Sequence, residues 1–286
     1  MISVCFFWGT TYLAIRIALE AFPPLWLVAL RFTASGSLML VGAFLSGAHL
    51  PRGRELLVTA FLGVLILGIG NGCLVFAEQW IPSGLAALMI TISPFWMVGL
   101  ESLVPGGERL HLPASLGLLV GCAGTALLVG PDVWRHAAGG NVVRGFLTLQ
   151  ISSASWSLGS ILQRRHPTKA HSIVSGAIQQ LAAGLVFVPP ALILPEHPIA
   201  WSFRGTAAIV YLILFGSIVG YSSYIYALER LPIAIASVYS YINPVVAVIL
   251  GWLFYREPFG LGEAAAMVII FAGVAIVKRS TQRRGP

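Results

Sequence analysis

The sequence predicts an all-α membrane protein whose ten transmembrane helices form two inverted five-helix repeats. Three observations predict this. The 286 residues are 57% hydrophobic and 9% charged, and the apolar residues fall in runs long enough to cross about 30 Å of hydrocarbon as helix. The pair Pro82/Pro94 returns 150 residues later as Pro232/Pro244, each pair within an apolar run. Five spans per copy is an odd number, so the second copy enters the membrane from the opposite side to the first.

Span by span, the expected helices lie near 2–20, 25–47, 56–78, 83–101, 113–131, 144–163, 173–194, 205–228, 232–254 and 260–278. These group into repeats at 1–131 and 144–279. Met1 opens almost directly onto the first span, with no basic n-region and no small-residue cleavage site, which reads against a removable signal peptide. Between the copies, Leu85-Ala86-Ala87-Leu88 answers Ile235-Ala236-Ser237-Val238, Ser93-Pro94 answers Asn243-Pro244, Glu108 answers Glu257 and Gly124 answers Gly273. Trp8 and Arg16 answer Trp156 and Arg164 more faintly. A soluble solenoid is excluded by so long a period. Gly117, Gly121 and Gly124 in the fifth span read as close helix-packing positions, since small residues let backbones approach in a membrane.

The net charge of +7 is a topology signal rather than a nucleic-acid footprint, because the basic residues sit in short loops and no soluble domain presents a binding face. With the N-terminus inside, Arg52, Arg54, Arg109, Arg164, Arg165, Lys169, Arg230, Lys278, Arg279, Arg283 and Arg284 fall on the cytoplasmic side. Arg135, Arg144, Arg204 and Arg256 fall on the other, and Arg16 and Arg31 lie within spans. This bias places both termini in the cytoplasm. Cys5, Cys73 and Cys122 lie in apolar spans without pairing or metal-ligand spacing and read as small hydrophobes. No metal or other cofactor is implied.

Repeats inverted about an axis in the membrane plane are a recurrent transporter architecture, since two copies of one asymmetric unit supply two alternative gates around a midplane site. The segments Trp8-Gly9-Thr10-Thr11-Tyr12, Gly70-Asn71-Gly72 with Ala77-Glu78, Pro82-Ser83-Gly84-Leu85-Ala86-Ala87, and Tyr241-Ile242-Asn243-Pro244-Val245-Val246-Ala247-Val248 resemble the EamA-type drug/metabolite transporter superfamily, and most of all its YedA-like exporters. The run from Asn243 through Gly251 to Glu257 is the more specific part. The resemblance implies ten helices in two EamA repeats and export of small metabolites or toxic compounds across the bacterial inner membrane. A facilitative uptake carrier of the same fold and an intramembrane enzyme are the alternatives, with a passive scaffold a third. No His-Glu-x-x-His, phosphate loop or Gly-x-Ser-x-Gly supports the enzyme.

Pro94 and Pro244 are helix-breaking positions near mid-bilayer. Each removes an amide and displaces the carbonyl four residues back, at Ile90 and Ser240. Around these kinks cluster Asn71, Thr91, Ser93, Trp96, Tyr221, Tyr224, Tyr239, Tyr241 and Asn243, with Trp8, Tyr12 and Trp156 from the first and sixth spans. Such a lining suits an amphipathic or aromatic small molecule, or an organic cation held against ring faces. The choice of spans one, three, four, six, eight and nine for that lining draws partly on the resemblance. Arg16, Arg31 and Glu78 are the ionisable residues placed within spans, and such residues carry gating or coupling roles, structural ion pairs or snorkelling charges. Glu78 is an expected partner for Arg31 or Arg16, and Glu20 a second for Arg16. Protons are a candidate coupling ion, although no carboxylate occupies the midplane of the first span. Gln179 and Gln180 in the seventh span read as interhelical hydrogen-bonding groups or as lining of the inner half of the path.

Overall fold

The computed structural model describes residues 2–103, 105, 112–135, 140–166, 168, 170–230, 239–257 and 259–282. Among the described residues every regular element is helical. Helix α1 (Ile2–Ala18) is followed by α2 (Pro24–Leu45). The next run joins α3 (Gly53–Gly63), a π-helical stretch (Val64–Asn71) and α4 (Gly72–Ala77). Helices α5 (Ser83–Ile90), α6 (Ser93–Leu103) and α7 (Leu112–Arg135) complete the first half. Helices α8 (Asn141–Arg165) and α9 (Ser172–Ile193) open the second. A run then joins α10 (Phe203–Tyr211), a second π-helical stretch (Leu212–Tyr221) and α11 (Ser222–Arg230). Helices α12 (Tyr239–Tyr255) and α13 (Leu261–Gln282) follow.

Five of these runs are long and apolar enough to cross a membrane: Pro24–Leu45, Gly53–Ala77, Ser83–Leu103, Ser172–Ile193 and Phe203–Leu228. Ser3–Ala18, Ile242–Tyr255 and Leu261–Gly273 are shorter apolar helices. Helix α8 has the length but not the apolarity, because its inward face is polar: Ser152, Ser153, Ser157, Ser160 and Gln163 are buried. The chain's outer surface carries large apolar side chains, with Phe44 and Leu45 above 70% exposed and Phe203 and Leu261 above 90%. Water would penalise that surface, whereas lipid tails would not.

Local sequence sets the helix ends. Pro24 occupies the first turn of α2, where its missing amide costs nothing. Gly47 just beyond α2 adopts φ +69°, the left-handed conformation that ends a helix without a Cβ penalty. Ser202 accepts from the Gly205 amide at 3.1 Å and caps α10.

Close backbone approach sets the packing. Helix α2 lies on α9, and a Cβ on Gly36 would sit 2.4 Å from the Leu181 amide nitrogen, one on Gly184 2.3 Å from that of Thr33. Helix α7 lies on α13 in the same way, with a Gly273 Cβ 2.5 Å from Gly121 N and a Gly124 Cβ 2.8 Å from Ile270. The packing role read for Gly117, Gly121 and Gly124 is thus met: the Gly117 carbonyl also faces Gly273, at 2.7 Å from its Cβ position. Helix α1 packs on α12 and on the second π stretch; α8 packs on α5, α6 and the first π stretch.

Candidate functional site

Two helix irregularities build a central cavity. In each π stretch the wider turn leaves carbonyls without an ordinary helical partner, and side chains from facing helices supply donors. Ser152 Oγ on α8 donates to Gly70 O at 2.6 Å and Ser155 Oγ to Leu65 O at 2.8 Å. Trp8 Nε1 on α1 donates to Gly216 O at 3.0 Å. A third irregularity lies before Pro94, where the helix breaks at Thr91–Ile92 between α5 and α6. The Ile90 carbonyl expected to be freed there accepts from Ser93 Oγ at 2.7 Å. Pro244 differs, because α12 runs through it without interruption.

Between these elements lies a cavity of about 700 Å³, counting space open at its mouth. Trp8, Tyr12, Asn71, Trp156, Tyr221, Tyr239 and Asn243 line it, as does Arg31. Three expected residues, Thr91, Trp96 and Tyr224, do not; the Thr91 hydroxyl donates to Ala87 O at 3.2 Å, one turn back on its own helix. Trp96 turns away and donates to Gln150 Oε1 at 2.9 Å. Tyr224 stands behind the wall, accepting from Trp156 Nε1 at 3.2 Å and bonded to Ser160 Oγ at 2.9 Å. The side chain of Tyr241 lies outside the described residues. Thr11, Phe32, Ser152, Ser153 and Ser217, not among the expected residues, also line the cavity. Short hydroxyl residues are common in membrane helices, so nothing local marked them.

The aromatic wall is one connected cluster. The Trp8 ring meets Trp156 edge-on at 5.4 Å and Tyr239 edge-on at 5.1 Å, and Tyr224 at 5.0 Å. Such edge and tilted contacts hold rings in place and leave faces free for a ligand. Asn243, with its amide turned to satisfy the surrounding carbonyls, donates to Cys5 O at 2.9 Å and Tyr239 O at 3.2 Å, tying α12 to α1. Gln179 and Gln180 are interhelical links: Gln179 accepts from Tyr221 Oη at 2.7 Å and donates to Gln163 Oε1 at 3.0 Å. Gln180 accepts from Ser35 Oγ at 2.5 Å.

The charged residues depart from the expected pairing. Arg31 is buried and donates from Nε to Ser217 Oγ at 2.9 Å and from Nη1 to Asn71 Oδ1 at 3.2 Å. Arg16 donates to the Glu78 backbone carbonyl at 2.8 Å, not to its carboxylate. Glu20 instead bonds Tyr255 and pairs with Arg204 at 3.6 Å. Among the described residues both carboxylate oxygens of Glu78 are buried without a hydrogen-bond partner, and neither Arg16 nor Arg31 comes within 4.0 Å of them. An ionised carboxylate in that position is strongly penalised. Glu78→Gln is therefore expected to hold or raise the melting temperature of purified protein, whereas a fixed ion pair would lose stability on the same change.

Glu257 carries a three-bond polar contact between the halves. One of its oxygens accepts from Ser83 N and Ser83 Oγ, each at 2.9 Å, and the other from Gly84 N at 2.9 Å. It caps α5, where the first amides of a helix have no partner of their own. From sequence Glu257 stood out as the end of the run that carries the family resemblance and as the repeat counterpart of Glu108, which lies outside the described residues.

Comparison with known proteins agrees with this architecture. A family model described as the EamA-like transporter family matches residues 1–130 and 143–279. The chain is 37% identical over 275 residues to the uncharacterized inner membrane transporter YedA of Escherichia coli strain K12, covering 94% of this chain and 86% of that protein. It is 28% identical over 282 residues to a probable terminal-alkyne amino-acid exporter of Streptantibioticus cattleyicolor, covering 97% and 91%. A crystal structure with 23% sequence identity superposes with a TM-score of 0.72 over 100% of this chain and 97% of its own, which shows a shared fold. The family and these relatives are transporters, not enzymes, and the chain belongs to the EamA-like transporter family.

Proposed function

We propose that the protein is a secondary transporter of the bacterial inner membrane that exports small metabolites, amino-acid-like or drug-like, by alternating access. In this reading ten spans form two inverted repeats, 1–131 and 144–279, with both termini cytoplasmic. Several observations support it. The family model matches the two halves separately. The π stretches occupy corresponding positions, Leu212 following Val64 by 148 residues and Tyr221 following Asn71 by 150. The packing keeps its pattern when the halves are exchanged: α1 on the second π stretch answers α8 on the first, and α1 on α12 answers α8 on α5 and α6.

The observation that carries the reading is the cavity itself, lined from both halves with residues of both π stretches among them. Rocking of one half against the other would open it alternately to each side. Trp8, Tyr12, Asn71, Trp156, Tyr221, Tyr239 and Asn243 bind the substrate, and Arg16, Arg31 and Glu78 act in gating or coupling. Glu257 on Ser83 and Gly84 latches the periplasmic side. The amino-acid exporter among the relatives favours an amino-acid-like cargo moving outward.

Flux of labelled amino acids, aromatic acids and organic cations from proteoliposomes tests the reading. Saturable flux of at least one class is expected, and Trp156→Ala should cut it by about ten-fold or more, the loss of one aromatic face in a closed site. Absence of protein-dependent flux across the panel overturns it.

A further inference from the structure

Arg31 is the only side chain in the cavity lining that carries charge at neutral pH, and no carboxylate lies on the wall among the described residues. A guanidinium has five N–H donors in a planar fork. Those used go to Ser217 Oγ and Asn71 Oδ1, both neutral. The remaining donors, including both on Nη2, have no protein acceptor among the described residues. The side chain is only 4% exposed, so bulk water does not compensate its charge. Gly216 keeps the approach open: a Cβ there would stand 3.1 Å from Nη2 and 2.8 Å from Thr11 Cγ2.

We infer that Arg31 is the anion-recognition residue of this cavity, and that the substrate is a carboxylate joined to an apolar or aromatic body. The inference deepens the transport reading above and rests on it. Ser217 and Asn71 take one hydrogen each, on Nε and on Nη1, which leaves both hydrogens of Nη2 and one of Nη1 as donors for the two oxygens of a carboxylate. The Trp8, Trp156 and Tyr239 rings then supply the surface for the organic body. An organic cation, which the ring faces alone would suit, meets a like charge with no carboxylate on the wall among the described residues and is disfavoured.

Hydrocinnamate, its neutral amide and phenylpropylamine share one ring and a short chain and differ in charge. Titrated against purified wild-type protein by tryptophan fluorescence, hydrocinnamate is expected to bind about ten-fold or more tighter than either of the others, the scale of one charge-assisted bidentate contact. Arg31→Gln should abolish that preference and Arg31→Lys should keep part of it, with melting temperatures reporting folding. Equal or tighter binding of the amine or the amide to wild type overturns the inference whether or not the variants fold. So does an unchanged preference in folded Arg31→Gln, or no saturable binding of any of the three. The transport reading fails separately: hydrocinnamate that binds through Arg31 yet is not carried across proteoliposomes refutes transport and leaves the anion site standing. Flux of other solutes without carboxylate preference does the reverse.

Discussion

Glu257→Ala lowers the stability of the purified protein by on the order of 2 kcal/mol, because three hydrogen bonds to a charged acceptor are lost at once. Ser83 is fully buried, so its amide and hydroxyl find no ready replacement. Gly251 provides an independent way to the same result. A Cβ on Gly251 would sit 2.3 Å from Glu257 Oε2, so Gly251→Ala pushes the carboxylate off the helix end without changing any charge. Both variants should lower the melting temperature in detergent, and the double variant should add little to the larger single effect, since both remove one contact. Under the transport reading the same variants weaken the periplasmic closure and make the cavity easier to reach from that side. Independent, additive losses would show that Glu257 and Gly251 do not act through the α5 cap.

Gly184→Ala is expected to be at least as damaging despite adding a single methyl group. The new Cβ would meet the Thr33 backbone nitrogen at 2.3 Å and the Phe32 carbonyl carbon at 2.9 Å. Backbone cannot rotate away as a side chain can, so α2 and α9 must separate along their length. Overpacking of this kind costs about 1–3 kcal/mol, and more where backbone is the obstacle. Gly36→Ala approaches Leu181 in the reverse sense and should behave alike. Gly42, also on α2, has nothing within 4 Å of its Cβ position. Gly42→Ala is therefore expected to be neutral or slightly stabilising, by the better helix propensity of alanine. Folded yield and melting temperature of the three variants decide whether close α2–α9 contact, rather than glycine loss as such, is responsible.

The helical membrane class was legible because lipid imposes it over whole segments: long apolar runs interrupted by charged loops survive errors of several residues at either end. The packing glycines were legible for the same reason, since small residues at helix spacing have few other uses in a membrane. Much of the cavity could also be anticipated, as Trp8, Asn71, Trp156 and Tyr221 fall on spans that the family resemblance, together with the repeat, implies for the lining. Which face of a helix a residue occupies is a finer matter. Trp96 and Tyr224 sit at the right depth, yet they turn to Gln150 and to Trp156 with Ser160. The π stretches had no sequence signature beyond glycines at positions such as Gly70 and Gly216, and each extra residue in a turn rotates everything after it. Ser217, which meets Arg31, lies within the second such stretch. The Glu78 pairing failed because closeness along adjacent helix ends does not fix where a carboxylate points.

Access to the cavity from both sides tests the central claim most directly. With Cys5, Cys73 and Cys122 replaced, a cysteine at Thr11, a lining residue, can be probed by a membrane-impermeant thiol reagent in intact cells and in inverted membrane vesicles. Alternating access predicts labelling in both preparations, slowed in each by a transported solute. Labelling from one side only, unchanged by any solute that the protein carries, would contradict it.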